Sequence, residues 1–536
     1  MEEKDTTKIQ KEGGKKMIVL RGISKSFGRQ VVLDDVNFSV SEDEHTALVG
    51  PNGSGKSTLL KILAGVLDPD ERRVEISPGL KVAYFPQEIT QENQRKTGRE
   101  FLAQRMKIAP EKLFSKIGLL SKQLYFPLEK IDVSIENLSG GEKSKLVLMS
   151  ILNSQADIFL LDEPTNNLDL RSLVILENFI LASQQSFLIV SHDREFLNRL
   201  IKDVVEINEE RHNLEIYRHV SYVSYLKERK RREQKAQEIY ENYQIEKQRL
   251  LKSVQEEKQK ANKMANGPKQ RRDKDKYVVG FKKDRAKKVA SHALAIEKRI
   301  GRLKEVKRPK HQLPLNLNFR FSERSGDIVF RLKDVEINRN CFHLGPLSWE
   351  VNYGDRIVIL GPNGQGKTSL LQILTQKFKE YSGLVQVGSK VQIGYLPQEI
   401  RFKPDEDVLT YFLESTRFEE SNARRILARF GFFAADIKTK TQDLSSGEKS
   451  RLILACLMAR EVNCLILDEP TNHLDPEALD RLEQALKKFS GTILLVSHDR
   501  YLIDQIGVNK TFLMKNGKLN SLVDYHQYEQ KIILET

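Results

Sequence analysis

Short apolar runs closed by glycine set the pattern of this chain. Thr46–Val49 and Ile357–Leu360 each end at a glycine, and helically spaced positions follow the first (Leu59, Leu60, Ile62, Leu63). Unbroken runs of this length, bounded by turn residues, read as strands buried on both faces, the habit of a parallel sheet. Ile158–Leu161 and Ser186–Val190 read the same way, Met17–Leu20 and Val31–Val40 as further strands, and Gln91–Val133 as mainly helical. Residues 327–534 repeat the plan of residues 17–222. Between the copies the pattern changes. Leu226–Ala265 contains neither proline nor glycine and is dominated by Lys, Glu, Gln, Arg and Ala, all good helix formers. Within it Ile239, Tyr243, Leu250, Val254 and Ala261 are spaced 4, 7, 4 and 7. Beyond Asn266-Gly-Pro268, the spacing of Val289, Ala293, Ile296, Ile300 and Leu303 is 4, 3, 4 and 3. Such intervals lay a narrow apolar seam along a charged helix and predict two antiparallel helices packed on it. The chain thus divides into a disordered tail (1–16), a first α/β domain (17–222), a helical hairpin (223–310), a connector (311–326) and a second α/β domain (327–534).

The repeat carries chemistry as well as pattern. Gly50-Pro-Asn-Gly-Ser-Gly-Lys-Ser-Thr58 and Gly361-Pro-Asn-Gly-Gln-Gly-Lys-Thr-Ser369 both fit G-x-x-x-x-G-K-[ST] between a strand and a helix, the context the motif requires. Glycines (Gly50, Gly53 and Gly55; Gly361, Gly364 and Gly366) and the asparagines Asn52 and Asn363 let backbone N–H groups close around phosphates at a helix N-terminus. Lys56 and Lys367 add charge, and the Ser57 and Thr368 hydroxyls, beside Thr58 and Ser369, can hold Mg²⁺. The two lysines lie 311 residues apart, and Gln87 and Gln398 follow them by 31, each in Tyr-x-Pro-Gln-Glu. Leu138-Ser-Gly-Gly-Glu142 is answered by Leu444-Ser-Ser-Gly-Glu448. Asp162-Glu163 and Asp468-Glu469 end apolar runs and continue as Pro-Thr-Asn-x-Leu-Asp. His192 and His498 lie 30 residues after those aspartates, each in Val-Ser-His-Asp-Arg.

Charge separates the hairpin from the domains it joins. Residues 226–310 carry 29 Lys and Arg against 12 Asp and Glu, a net of +17, which leaves the rest of a +14 chain at −3. So uneven a balance points to a polyanionic partner, with Lys269, Arg271, Arg272, Lys274 and Lys276 gathered around the turn. No apolar run approaches the ~18 residues of a membrane span, so no membrane association is expected. The polar start of the chain has no secretory core, and three cysteines (Cys341, Cys456, Cys464) at no metal-ligand spacing suit a cytoplasmic protein.

These motifs, in this order and in both domains, resemble the ATP-binding cassette ATPases, and more closely the ABC-F group, in which two cassettes share one chain without a membrane domain. The resemblance implies two tandem P-loop cassettes joined by an α-helical hairpin, ATP and Mg²⁺ as ligands, and a monomer whose cassettes pair intramolecularly. By matching position, Lys56 and Lys367 hold phosphates. Ser57, Gln87 and Asp162, with Thr368, Gln398 and Asp468, serve Mg²⁺. Glu163 and Glu469 polarise the attacking water, and His192 and His498 contact the γ-phosphate. Ser139, Gly140 and Gly141 close over nucleotide held by the other cassette, as do Ser445, Ser446 and Gly447. The family binds the ribosome near the exit tRNA site with its linker toward tRNA and the peptidyl-transferase centre, so rRNA and tRNA are the implied partners. Three departures stand out. Ser446 replaces the usual glycine. Phe27 fits the adenine-stacking aromatic, whereas the second cassette offers Arg339 or Phe342. The span Gln87–Ser139 is 52 residues against 47 for Gln398–Ser445, too short for the long arm of some housekeeping members. A short arm leans toward ribosome protection from antibiotics; a translation factor, a transporter's ATPase subunit and a DNA-binding ATPase share the nucleotide motifs.

Overall fold

The computed structural model describes residues 17–535 except 42, 52, 88, 209–210, 267–275, 304–305, 307–318, 322, 340–341, 399–401, 404, 417, 472–473 and 475. The expected tail and most of the hairpin turn lie outside the described residues. Each cassette is built on a six-stranded sheet, and the two sheets share one strand order. In the first it runs Val82–Phe85, Ile158–Asp162, Ser186–Val190, His45–Val49, Asp203–Ile207, Leu214–Tyr217. In the second it runs Ile393–Leu396, Cys464–Asp468, Thr492–Val496, Arg356–Leu360, Lys510–Lys515, Lys518–Leu522. All pairs are parallel but the last, which is a hairpin. The continuous apolar runs are buried from end to end, as expected of strands covered on both faces. A second, antiparallel sheet packs over each (Met17–Phe27, Gln30–Ser41 and Glu75–Ile76; Ile328–Arg339, Phe342–Asn352 and Ser382–Val387). Helices Gln91–Gln94, Gly98–Met106 and Leu113–Gln123 fill most of the predicted helical stretch.

The cassettes form one compact unit with each other. Leu170 and Val174 of the first are buried within the core cluster of the second. At the same face Arg500, 1% exposed, donates to Glu177 of the first cassette and, at 2.9 Å, to Glu529 of its own. Arg199 of the first cassette also reaches Glu529, at 2.6 Å. At the matched position Arg194 pairs with Asp480 (2.5 Å) and Glu483 (3.6 Å). Reciprocal use of the same residue types is the mark of a two-fold interface, here between repeats of one chain. Phe319, in the stretch read as a connector, is buried against Phe489 of the second cassette.

Val223–Pro314 form a separate unit. Helix Tyr222–Asn266 has 45 residues, about 68 Å at 1.5 Å each, and Lys276–Arg302 follows it. Glu257 lies against His292 (3.9 Å) and Lys258 against Glu297 (2.6 Å), whereas the earlier Glu246 meets the later Arg299 (3.2 Å), so the two run antiparallel. Leu250, Val254, Ala261 and Ala293 of the expected seam are buried. Ile239 is not; at 58% exposure it corrects the seam's start, because the second helix ends at Arg302 and gives it no partner in this register.

Candidate functional site

Each phosphate loop leaves the C-terminal end of a central strand and enters a helix (Lys56–Leu63, Lys367–Leu374), where ligands of open α/β sheets bind. The N-cap is a left-handed glycine, Gly55 (φ 101°) or Gly366 (φ 95°), and no side chain caps either helix. First-turn amides therefore remain available to an anion, with the helix dipole behind them. A Cβ at Gly55 would meet Val32 at 2.6 Å, and one at Gly366 would meet Phe342 at 2.8 Å. Lys56 Nζ donates to the carbonyls of Gly50 and Pro51, both at 2.9 Å, and Lys367 Nζ to those of Gly361 and Pro362. Ser57, Thr58, Thr368 and Ser369 are half-buried in the first helical turns, and Gly53 and Gly364 are exposed at the loop tips. Asn52 lies outside the described residues.

Asp162 and Asp468 end their strands and are buried, and Glu163 and Glu469 follow with left-handed backbones (φ 51° and 48°). Non-glycine residues held there store strain that neighbouring structure must support. The support is the same in both cassettes: Glu163 N–H donates to Val190 O and Glu469 N–H to Val496 O, each at 2.8 Å. The histidines follow those strands. His192 Nε2 lies 3.2 Å from Glu163 Oε1, and His498 Nε2 lies 3.4 Å from Glu469 Oε1. Gln87 and Gln398 are exposed; Gln87 shares a cavity wall with Asp162 and Glu163, Gln398 with Lys367 and Asp468. Both oxygens of Asp468 are buried without a hydrogen-bond partner, which suits a hard cation held by one carboxylate, a hydroxyl and phosphate oxygens.

The cassettes meet over the second loop. A cavity of about 610 Å³ is walled by Lys367, Thr368 and Glu469 on one side and by Ser139, Gly140 and Gly141 of the first cassette on the other. Asn363 binds there twice: its amide donates to Asp169 Oδ2 (3.2 Å) and its Nδ2 to Asn167 O (2.9 Å). Gly141 is so close that a Cβ would sit 2.4 Å from Asn363 Nδ2. Leu170 N–H donates to His498 Nδ1 at 3.2 Å, and His498 Nε2 lies 3.2 Å from Lys367 Nζ on the side that faces Glu469. Phe342 lines the same cavity, whereas Phe27 is 52% exposed. Of the opposite combination, Ser445 caps its own helix, and among the described residues no hydrogen bond joins Ser445 or Gly447 to loop 50–58. The side chains of Ser446 and Arg339 lie outside the described residues.

Comparison with known proteins agrees with this arrangement. The family described as "ABC transporter" matches residues 33–166 and 344–472. "ATP-binding protein Uup" of Escherichia coli (strain K12) is 31% identical over 97% of this chain and 84% of its own length. "ABC transporter F family member 5" of Arabidopsis thaliana is 29% identical over 96% of this chain and 77% of its own. Among solved structures, archaeal ribosome recycling factor aABCE1 in complex with ribosomal stalk protein aP1 superposes with a TM-score of 0.61 at 19% identity, covering 96% of this chain and 92% of that one. This chain belongs to the ABC-F family.

As an ABC-F ATPase it hydrolyses ATP, and its two sites are electrostatically unequal. Burial pushes Glu469 up to about 8, against the pull of Lys367. Burial, with the charge of Lys367 beside it, pushes His498 down to about 3, so its imidazole is neutral. Lys367 is itself lowered by burial, though Glu469 and Asp169 oppose this. Burial raises Glu163 while His192 and Lys56 restrain it, and it raises Asp162 and Asp468 against their Ser57 and Thr368 neighbours. Burial also works against ionisation of Asp169, but Lys145 (3.0 Å) and the Ser172 hydrogen bonds outweigh it and hold that carboxyl below the usual range. Lys145, Asp169, Arg500 and Glu177 are residues that motif reading of this ABC-F chain left without a role. Their signal was present: Arg194 and Arg500, and Glu177 and Glu483, recur at the offset of 306 that relates Glu163 to Glu469.

Proposed function

We propose that ATP binds at two composite sites between the cassettes, and that the closed form engages the ribosome near the exit tRNA site with the helical pair directed at tRNA and the peptidyl-transferase centre. The observation that carries the first half is the single cavity in which Lys367 and Glu469 face Ser139–Gly141 of the other cassette. Loop amides and Lys367 hold the phosphates. Glu469, once ionised, accepts the proton of the attacking water, and His498, beside Lys367 and Glu469, contacts the γ-phosphate. Thr368, Gln398 and Asp468 would hold Mg²⁺, which would supply positive charge to the transferring phosphoryl group. Lys56, Ser57, Gln87, Asp162, Glu163 and His192 take the same roles at the other site.

The ribosomal half is supported by the +17 segment 226–310 and by a structural neighbour described as a ribosome recycling factor. Within that reading, protection of the ribosome from antibiotics is favoured by the short span Gln87–Ser139. A housekeeping translation factor is the second reading, favoured by that same neighbour. Among the described residues no helix is long and apolar enough to cross a membrane. The test is co-sedimentation with ribosomes of a chain carrying Glu163→Gln and Glu469→Gln. Enrichment in ATP over ADP is expected, and equal recovery in both nucleotides would refute the proposal. Inhibitory concentrations of peptidyl-transferase antibiotics in a host expressing the chain then separate protection from housekeeping.

A further inference from the structure

Behind the second nucleotide site, on the side away from the other cassette's signature, lies a cavity of about 800 Å³. Thr368 and Gln398 wall both spaces, so the cavity begins where the γ-phosphate and Mg²⁺ are expected. Its rim carries two cations, Lys377 and Arg460, and among the described residues no carboxylate lines it. Their positions are set by neutral groups. Lys377 Nζ lies 4.6 Å from the ring centre of Tyr395, and Arg460 Nε donates to Ser415 O at 2.6 Å. Burial and the charge of Arg460 both lower Lys377, the signature of two like charges facing one space without a counter-ion.

The first cassette lacks this arrangement. Val66 and Ser154 stand at the places matched to Lys377 and Arg460 by the phosphate-loop and signature offsets. Where the second cassette has Ser415, the first has Arg105, which is tied to Tyr84 O at 2.9 Å and lies over the rings of Phe85 and Phe101. The Gln87 cavity of that cassette is about 290 Å³ and is lined by the carboxylates Asp162 and Glu163.

We propose that this cavity is an oxyanion site that receives the inorganic phosphate released at the second nucleotide site, held by Lys377 and Arg460 and passed between Thr368 and Gln398. Close approach of Asn363 to Gly141 shuts the other side, so this route lets phosphate leave while the cassettes remain together. The inference rests on hydrolysis at the site containing Lys367 and Glu469.

The test uses the full chain with Glu163→Gln, which confines turnover to the second site, and titrates inorganic phosphate as an inhibitor in the presence of ADP and Mg²⁺. Adding Lys377→Ala and Arg460→Ala, both exposed positions, should weaken phosphate inhibition about tenfold or more, the loss of charge-assisted hydrogen bonds. In the Glu469→Gln chain, where only the first site turns over, the same pair should leave inhibition unchanged. Equal inhibition with and without the pair in the Glu163→Gln chain overturns the inference. So does weakened ribosome co-sedimentation with phosphate inhibition intact, which would assign the cations to nucleic-acid phosphate instead. If the parent chain fails to turn over ATP, the proposed function fails; phosphorus NMR line broadening of inorganic phosphate, which needs no turnover, then decides the site by the same pair of substitutions.

Discussion

The two candidate nucleotide sites share a motif grammar and differ in how they are enclosed. Lys367 and His498 are buried, and the first cassette is hydrogen-bonded to loop and histidine alike through Asn167, Asp169 and Leu170. Lys56 is half-buried, and the His192 side chain is 32% exposed. Identical side chains at matched offsets thus stand in different dielectric surroundings. Burial penalises the charged forms of Lys367, His498 and Glu469 together, so the second site is the one whose protonation states depend on what fills it. An internal repeat conserves the placement of atoms more faithfully than it conserves their energetics.

The widest effect on this comparison comes from the carboxylates. Glu163→Gln with Glu469→Gln should cut ATP turnover by about 100-fold or more, the contribution of a positioned general base. The single substitutions should leave unequal residual rates in a steady-state phosphate assay; equal residuals would break the asymmetry. Next come the arginines that follow the histidines. Arg500→Met leaves two buried carboxylates, Glu177 and Glu529, to share Arg199 and should cost about 3 kcal/mol. Arg194→Met should cost less, about 1 kcal/mol, because Asp480 is 53% exposed and the buried Glu483, already pushed up to about 7, can take up a proton when its cation goes. Urea unfolding of the two variants reads the difference, and equal midpoints would contradict it.

A subtler handle is pH. Glu469 holds its proton in the fold up to about 8, whereas in the unfolded chain it ionises near the ordinary glutamate value of 4.5. Between those values the folded state binds more protons, so stability contributed by this group falls as pH rises through that window and levels off above it. Glu469→Gln removes the decline. Its melting temperature should exceed the parent's above about pH 8 and match it near about pH 4. Turnover by Glu163→Gln, which depends on ionised Glu469, should climb with pH and level off above about 8. Smallest is Asn363→Ala: loss of one side-chain hydrogen bond to Asn167 O, about 1 kcal/mol, should weaken ATP binding at the second site about fivefold by titration of a fluorescent analogue.

Much of this was legible in the sequence because it is local or periodic. Buried strands announce themselves as apolar runs, and the phosphate loops as glycines that must adopt positive φ. The helical pair follows from its seam, although Ile239 lies past the end of its partner helix, an endpoint that spacing does not encode. What could not be read is the wiring between cassettes. Arg500 with Glu177, and Asp169 with Asn363, are joined only after two domains have folded and met, and nothing near either residue in sequence specifies its partner. The basic cavity of the second cassette was hidden for a related reason. Lys377, Ser415 and Arg460 come from three separate segments, and each is unremarkable alone.

The central claim is that each nucleotide is enclosed by motifs from both cassettes, and one crossed substitution tests it. In the Glu163→Gln chain, turnover remaining at Lys367 should be abolished by Gly141→Arg, whose side chain would collide with Asn363, and spared by Gly447→Arg at the matched position. Turnover that survives Gly141→Arg but falls with Gly447→Arg would mean that the signature serves its own cassette, and the composite site would be wrong.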